Sequence, residues 1–311
     1  MMFARCRRVA GLSAVVALTA LAPAHGAQAP SSPPSYPALA GSGQPVALAR
    51  THEFTMRSRA GRDYRLFVAV PPGEPPAQGY GVMTVLDANA YFGVAAQAMG
   101  LIQQFPRIPE KGALVDAYPT LVVGVAYPGD EPIQGERRTW DFVPAARNPA
   151  SLERLRGPQP GGADAFSDFL VRELRPALAA QYAIHPERQT LVGHSLGGYF
   201  VLHQLARDPA AFQRYVSISP AVWWDDSRIL QDLATLAPGR ALLLLAMAQQ
   251  EWPGFADGSA EMLNGARALH DVLRKQGLAG DALRYVEVPL EDHMTTPFSV
   301  MPSAARFATL P

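Results

Sequence analysis

Short, uninterrupted apolar runs alternate with helical stretches along most of this chain. Residues 121–125 are Leu-Val-Val-Gly-Val and residues 242–245 are Leu-Leu-Leu-Leu, without the polar alternation of a strand that has one face in water. Such runs are typical of parallel strands that helices cover on both faces. Between them, residues 165–182 and 261–275 place apolar side chains on one helical stripe. The alternation predicts an α/β fold, a doubly wound and mostly parallel sheet with helices on both faces.

Eight segments have strand character, and the first two differ from the rest. Residues 51–58 and 64–70 alternate polar and apolar side chains across a turn at Gly61, which predicts an antiparallel hairpin at the sheet edge. The other six predicted strands cover residues 82–86, 120–126, 189–192, 215–219, 241–246 and 283–288. Residues 128–162 fit neither period, because proline and glycine recur at short intervals. We interpret them as an irregular insertion that forms the wall or lid of a site.

The N-terminal segment is predicted to lie outside the folded domain. Arg5, Arg7 and Arg8 precede an apolar run that ends in small residues, the pattern of a cleaved signal peptide. The run has about 15 apolar residues, fewer than the ~20 that span a bilayer, although an uncleaved anchor is the alternative. We predict a signal peptide over residues 1–27, a disordered linker over 28–45 and one domain over 46–311. The protein would then be periplasmic or secreted, with no stable membrane insertion after cleavage.

The charge balance and the cysteine content exclude several kinds of partner and site. Lys plus Arg and Asp plus Glu both number 27, so no global field concentrates nucleic acid, and we predict no nucleic-acid partner. The single cysteine, Cys6, precedes the apolar run and would leave with the signal peptide. The mature chain would then have no thiol for a disulfide, a thiolate metal site or a cysteine nucleophile.

The strongest motif is Gly-His-Ser-Leu-Gly-Gly at residues 193–198, between the predicted strand at 189–192 and a helical pattern at 199–206. A strand, a strained turn at the serine and a helix together form a nucleophile elbow, the hallmark of the α/β-hydrolase fold. Glycines two residues before and two after the serine are expected to avoid clashes of a Cβ atom with strand and helix. The motif predicts Ser195 as a nucleophile and the backbone N–H of Leu196 as one oxyanion donor.

A serine hydroxyl needs a neighbouring base, and in this fold the chain order is serine, acid, histidine. His293 follows the last predicted strand, and we predict that it is the general base. The acid is expected after the seventh strand, where Glu251 is our choice and Asp257 and Glu261 are rivals. A Ser–His dyad without an acid is the remaining alternative.

A second oxyanion donor is expected in the loop after the third predicted strand, where residues 86–89 are Leu-Asp-Ala-Asn. We assign it to the backbone N–H of Ala88 or Asn89. Such a donor is worth ~3–4 kcal/mol, because it meets the oxygen where negative charge develops. We interpret Asp87 as bracing this loop rather than taking part in the chemistry.

Four segments resemble the putative-esterase branch of the α/β-hydrolases, and most closely its siderophore esterases. They are Val-Leu-Asp-Ala-Asn at 85–89 with Phe92, Arg-Arg-Thr-Trp-Asp-Phe at 137–142, the elbow at 193–198, and Ser-Ile-Ser-Pro at 217–220 with Trp-Trp-Asp at 223–225. With His293 they span nearly the whole predicted mature chain. The chain departs from the family at Ala88, where a glycine is usual, and around Glu251, where the match is loose.

The resemblance implies that the domain is catalytic and hydrolyses ester bonds of a catecholate siderophore, a cyclic or linear oligoester of acylated serine. The same resemblance implies that Arg137 or Arg138, together with Trp223, binds the substrate. Guanidinium groups pair with and stack on anionic aromatic ligands, which suits a catecholate. The alternatives are an ion-pair role for the arginines and a core-closing role for Trp223.

No metal and no organic cofactor is expected for this chemistry, and any iron arrives with the small-molecule substrate. Two other functions stay open at this point. One is a general acyl or aryl esterase of feruloyl type, and the other is a periplasmic siderophore-binding protein without turnover.

Overall fold

The structure is a computed structural model that describes residues 43, 46–155, 159–237, 239–251 and 256–311, with the side chains of residues 256–260 left out. The predicted signal peptide, and the predicted linker except for Gly43, lie outside the described residues. Residues 47–311 form one compact unit. Among the helices of the described residues, none is long and apolar enough to cross a membrane.

A mostly parallel sheet of eight strands lies at the centre of the domain. The strands of the described chain are β1 (Thr51–Arg57), β2 (Asp63–Ala69), β3 (Tyr80–Val85), β4 (Arg107–Glu110), β5 (Ala113–Asp116), β6 (Thr120–Ala126), β7 (Ile184–His194), β8 (Arg214–Ile218), β9 (Leu242–Gln250) and β10 (Leu283–Asp292). The order in the sheet is β1-β2-β6-β3-β7-β8-β9-β10. The β1–β2 and β2–β6 pairs are antiparallel and the others parallel, which confirms the predicted fold and its antiparallel edge.

Burial follows the pattern on which these strands were predicted. Every residue of β3 and β6 is buried, whereas β2 alternates between buried and partly exposed positions. The sequence did not predict the small β4–β5 hairpin, which pairs outside the main sheet. Its strands have four residues each and turn at Lys111 and Gly112, both with positive φ. Strands this short do not show a period that a pattern search can find.

Helices pack on both faces of the sheet. They are α1 (Ala88–Gln104), α2 (Gly135–Phe142), α3 (Ser151–Arg154), α4 (Ala163–Asp168), α5 (Arg175–Gln181), α6 (Leu196–Arg207), α7 (Trp224–Leu233), α8 (Ala256–Lys275) and α9 (Thr296–Thr309), with a π-helical segment Phe169–Leu174 joining α4 and α5. One apolar cluster contains Tyr91, Met99, Met301 and Phe307 from α1 and α9. The larger cluster includes aromatic side chains of α2, α4, α6 and α7. The sheet is therefore buried on both faces, as its apolar runs require.

The insertion at residues 128–162 is less irregular than its proline and glycine content predicts, because it contains α2 and α3. Asp141 in α2 pairs with Arg62 at 2.8 Å and accepts a hydrogen bond from Tyr64 Oη at 3.0 Å. Hydrophobic patterning could not find α2, since three of its four buried residues are polar. These polar contacts attach the insertion to the β1–β2 side of the domain.

Candidate active site

Ser195 occupies a sharp turn between β7 and α6. Its φ of 59° and ψ of −118° lie outside the regions that L-residues favour, a strain that costs on the order of 1–3 kcal/mol. The turn is held by the Ser195 N–H, which donates to Ile218 O at 2.9 Å, and by the Ser195 carbonyl, which accepts from Tyr199 N at 2.9 Å. The residue is half-buried. The strained turn therefore presents the hydroxyl at the carboxyl end of the central strand.

Two glycines of the motif are required by close backbone contacts. A Cβ atom on Gly193 would lie 2.3 Å from Gly197 O, and one on Gly198 would lie 2.8 Å from Ile218 O. A Cβ atom on Gly197 would meet its nearest neighbour, Asp87 Oδ2, at 3.4 Å, an ordinary contact. The expectation that Gly197 avoids a clash is therefore wrong, and the second obligatory glycine is Gly198.

The structure brings Ser195, His293 and Glu251 together in one hydrogen-bonded line. His293 lies in the turn between β10 and α9, with its Nε2 at 3.0 Å from Ser195 Oγ and its Nδ1 at 2.6 Å from Glu251 Oε2. The backbone adds a contact, since His293 N donates to Glu251 O at 3.0 Å. This is the geometry of a nucleophile, a base and an acid that orients the base.

Glu251 is fully buried, directly after β9. Its Oε1 accepts hydrogen bonds from Ser219 Oγ at 2.7 Å and from Ala248 N at 2.9 Å, so its other oxygen is directed at His293. Its rival Glu261 is exposed and pairs with Arg154 at 2.7 Å. The side chain of the other rival, Asp257, lies outside the described residues. Of the described carboxylates, Glu251 is the one that completes a triad.

A second histidine contacts the base. His194 is buried, its Nδ1 lies 3.0 Å from Tyr91 Oη, and its ring centroid is 4.6 Å from that of His293. Burial holds the pKa of His194 well below its usual value, and the nearby Arg138 guanidinium and His293 imidazole act in the same direction. His194 therefore stays neutral. Tyr91 carries no motif in the sequence, and nothing in its local pattern points to this contact.

The predicted oxyanion donors lie at the first turns of two helices. Leu196 begins α6 and Ala88 begins α1, and the first amide groups of a helix have no acceptor inside it. The side chain of Asn89 accepts from Tyr127 N at 2.7 Å and donates to Tyr127 O at 3.0 Å. Asn89 can therefore serve the oxyanion through its backbone N–H alone.

Ala88 fits where the family usually has glycine because of the residue across from it. Gly124 in β6 has no Cβ atom, and one built there would lie 2.6 Å from the Ala88 methyl group. The missing side chain on β6 leaves room for the extra carbon on α1. The departure from the family pattern is therefore accommodated by packing.

The three predicted substrate-binding residues have different environments. Arg138 is buried and forms an ion pair with Asp87 at 2.9 Å, which contradicts a substrate contact for that guanidinium. Arg137 is half-buried, and among the described residues no carboxylate lies within ion-pair distance of it. Trp223 is also half-buried, with the Arg154 guanidinium 4.5 Å from its ring centroid. Only Arg137 and Trp223 keep surface for a ligand.

Comparison with known proteins finds a matching family and several similar proteins. The family described as "Putative esterase" matches residues 58–252 of this chain. Ferri-bacillibactin esterase BesA of Bacillus subtilis (strain 168) is 32% identical over 261 residues, which cover 80% of this chain and 86% of that protein. The siderophore enterobactin esterase of Emericella nidulans is 28% identical over 212 residues, which cover 64% of this chain and 67% of that protein.

A solved structure shows the same architecture. The crystal structure of BES protein from Bacillus cereus matches with a TM-score of 0.73 and 26% sequence identity, over 88% of this chain and 100% of that one. The likeness therefore covers most of this chain and the whole length of that one.

Proposed function

We propose, from the premise that this chain belongs to the putative-esterase family and is a serine ester hydrolase, that it hydrolyses the ester bonds of a catecholate siderophore. The observation that carries the proposal is the line of hydrogen bonds from Ser195 through His293 to Glu251. The choice of substrate is supported by the similar proteins, which are named as esterases of ferri-bacillibactin and of enterobactin. Hydrolysis would weaken the hold of the ligand on iron, which arrives as cargo of the substrate.

The mechanism is acyl transfer to water in two half-reactions. Ser195 Oγ attacks the ester carbonyl while His293 Nε2 accepts its proton, and His293 then gives that proton to the departing alcohol. Glu251 accepts the Nδ1–H, which fixes the tautomer with a free lone pair at Nε2. Water, deprotonated by His293, attacks the acyl-enzyme, and His293 then returns that proton to Ser195 Oγ as the acid leaves. The amide groups of Leu196 and of the Ala88–Asn89 turn stabilise the oxyanion in both halves.

Substrate recognition is assigned to Arg137 and Trp223. Each is adjacent in sequence to a segment that contacts the elbow: Ala221 N donates to Ser195 O at 3.1 Å, and Arg138 Nη2 donates to His194 O at 3.2 Å. A catecholate and its ferric complex are anionic and aromatic, so a guanidinium without a carboxylate partner and an indole face suit both properties.

The cellular site of action is part of the same proposal. The basic and apolar N-terminal pattern supports export by a signal peptide, and a periplasmic or secreted esterase would meet siderophores as they enter. The mass of the protein recovered from a periplasmic fraction tests this, because retention of residues 1–27 would contradict it.

The test of the substrate compares kcat/KM for a purified catecholate trilactone, its ferric complex and a simple aryl ester. We expect a preference for the trilactone of roughly tenfold or more, about 1.4 kcal/mol of transition-state discrimination. The Ser195→Ala variant should release no linear product from the trilactone. A preference for aryl or feruloyl esters would instead favour a general carboxylesterase, and turnover by Ser195→Ala equal to that of the parent would exclude the mechanism.

A further inference from the structure

One guanidinium connects the two helix starts that carry the oxyanion donors. Arg138 Nε donates to Asp87 Oδ1 at 3.0 Å, and Nη2 donates to Asp87 Oδ2 at 2.9 Å. The same Nη2 donates to His194 O at 3.2 Å. Both side chains are nearly buried, with 9% of Arg138 and 1% of Asp87 exposed. The arginine therefore spans from the α1 start to the elbow.

The two ends of this bridge lie close to the reacting groups. Asp87 immediately precedes Ala88 and Asn89, and His194 immediately precedes Ser195 and Leu196. A planar guanidinium fork holds its acceptors in a fixed arrangement, which a lysine ammonium does not. Arg138 thus adds a side-chain link between the two donors to the backbone pairing of β3 with β7.

The conformation of Asp87 gives the bridge a second consequence. Asp87 is the N-cap of α1, a position where an aspartate usually accepts hydrogen bonds from the first free amide groups of the helix. Here it has φ of 50° and ψ of 44°, and its side chain forms no capping hydrogen bond. Arg138 holds the carboxylate instead. The amide group of Asn89, the second helical residue and a usual target of such a cap, therefore has no carboxylate partner from Asp87.

We infer that Arg138 is a positioning residue, which keeps the Asp87 carboxylate off the Asn89 amide group and links the α1 start to the elbow. The inference rests on the proposed ester hydrolysis. Without the guanidinium, the carboxylate would be released to cap α1 and would place a negative charge where the oxyanion develops. A residue that merely stabilised the fold would not have this effect.

The test uses p-nitrophenyl acetate, because it does not depend on the natural substrate. Arg138→Gln should lower kcat by roughly 10²–10³-fold, the effect of losing one oxyanion donor, with little change in KM. Phenylboronic acid forms an adduct with the serine hydroxyl that mimics the tetrahedral intermediate. Its inhibition constant should rise in parallel with the loss of kcat. Adding Asp87→Ala should restore part of the lost kcat, because the misplaced carboxylate is then gone. Arg138→Lys should remain impaired, since it keeps the charge but loses the fork.

The matched control is Arg62→Gln, which breaks the ion pair between Arg62 and Asp141, another buried polar residue of α2 that forms no hydrogen bond or ion pair with the elbow among the described residues. It should lower the melting temperature but keep the parent kcat. The inference is overturned if the double variant is no faster than Arg138→Gln, or if boronate affinity is unchanged in folded Arg138→Gln. If the parent cleaves the aryl ester without preferring a catecholate trilactone, the proposed substrate fails and the inference stands. If the parent does not cleave the aryl ester at all, both fail.

Discussion

Replacing Glu251 with glutamine tests the triad with a change of one atom. Oε1 of Glu251 accepts from Ala248 N, so an amide nitrogen at that position would face another donor. The glutamine must then place its NH₂ group toward His293 Nδ1, where the carboxylate oxygen now lies at 2.6 Å. That group can only donate, so the imidazole is driven to the tautomer that carries its proton on Nε2, facing Ser195.

The expected loss follows from this wrong tautomer. The Asp→Asn change in a serine protease triad, which has the same effect, lowers kcat by about 10⁴-fold. We expect Glu251→Gln to lower kcat by roughly 10³–10⁴-fold, about 4–5.5 kcal/mol, with little change in KM. Steady-state hydrolysis of p-nitrophenyl acetate measures both constants, and near-ultraviolet circular dichroism of the same samples checks that the fold is intact.

The control for this experiment is Glu261→Gln, since Glu261 is exposed and forms a surface ion pair with Arg154. It should leave kcat unchanged. A loss below about threefold for folded Glu251→Gln, roughly 0.7 kcal/mol, would remove Glu251 from the triad and favour a Ser–His dyad.

Three further outcomes are expected. Gly193→Ala should abolish activity or folding because its Cβ meets backbone at 2.3 Å, whereas Gly197→Ala should change the unfolding free energy by about 1 kcal/mol or less; equal effects in urea titrations would refute the packing argument. Burial raises the pKa of Asp141 from 3.8 to about 6. The contribution of this carboxyl group to the free energy of unfolding is therefore greatest below pH 4 and is lost as pH rises through 6. The stability of the parent relative to Asp141→Asn should therefore fall by about 2 kcal/mol between pH 4 and 7, and parallel curves would contradict it. Ser219→Ala removes a hydrogen-bond donor to Glu251 and should lower kcat while changing KM little. A change in KM alone would show that Ser219 does not position the acid.

The strands and the elbow could be predicted because their causes are local. Each buried strand is a continuous apolar run, and the elbow is a contiguous motif between a strand and a helix. Helix α2 and the β4–β5 hairpin escaped prediction for the opposite reason. Buried polar side chains hold α2 through ion pairs with residues far away in the chain, and four-residue strands are too short for a period to appear.

By itself, the sequence determined the fold class and predicted the nucleophile and the histidine that follows the last strand, because residue order and spacing carry this information in an α/β-hydrolase. Only the tertiary structure decided among the carboxylates and between the two arginines. His293 lies 42 residues from Glu251 and 98 from Ser195 in sequence. Whether such groups meet depends on loop paths and on which side chains are buried together. That is also why Arg138 pairs with buried Asp87, whereas among the described residues no carboxylate lies within ion-pair distance of its neighbour Arg137.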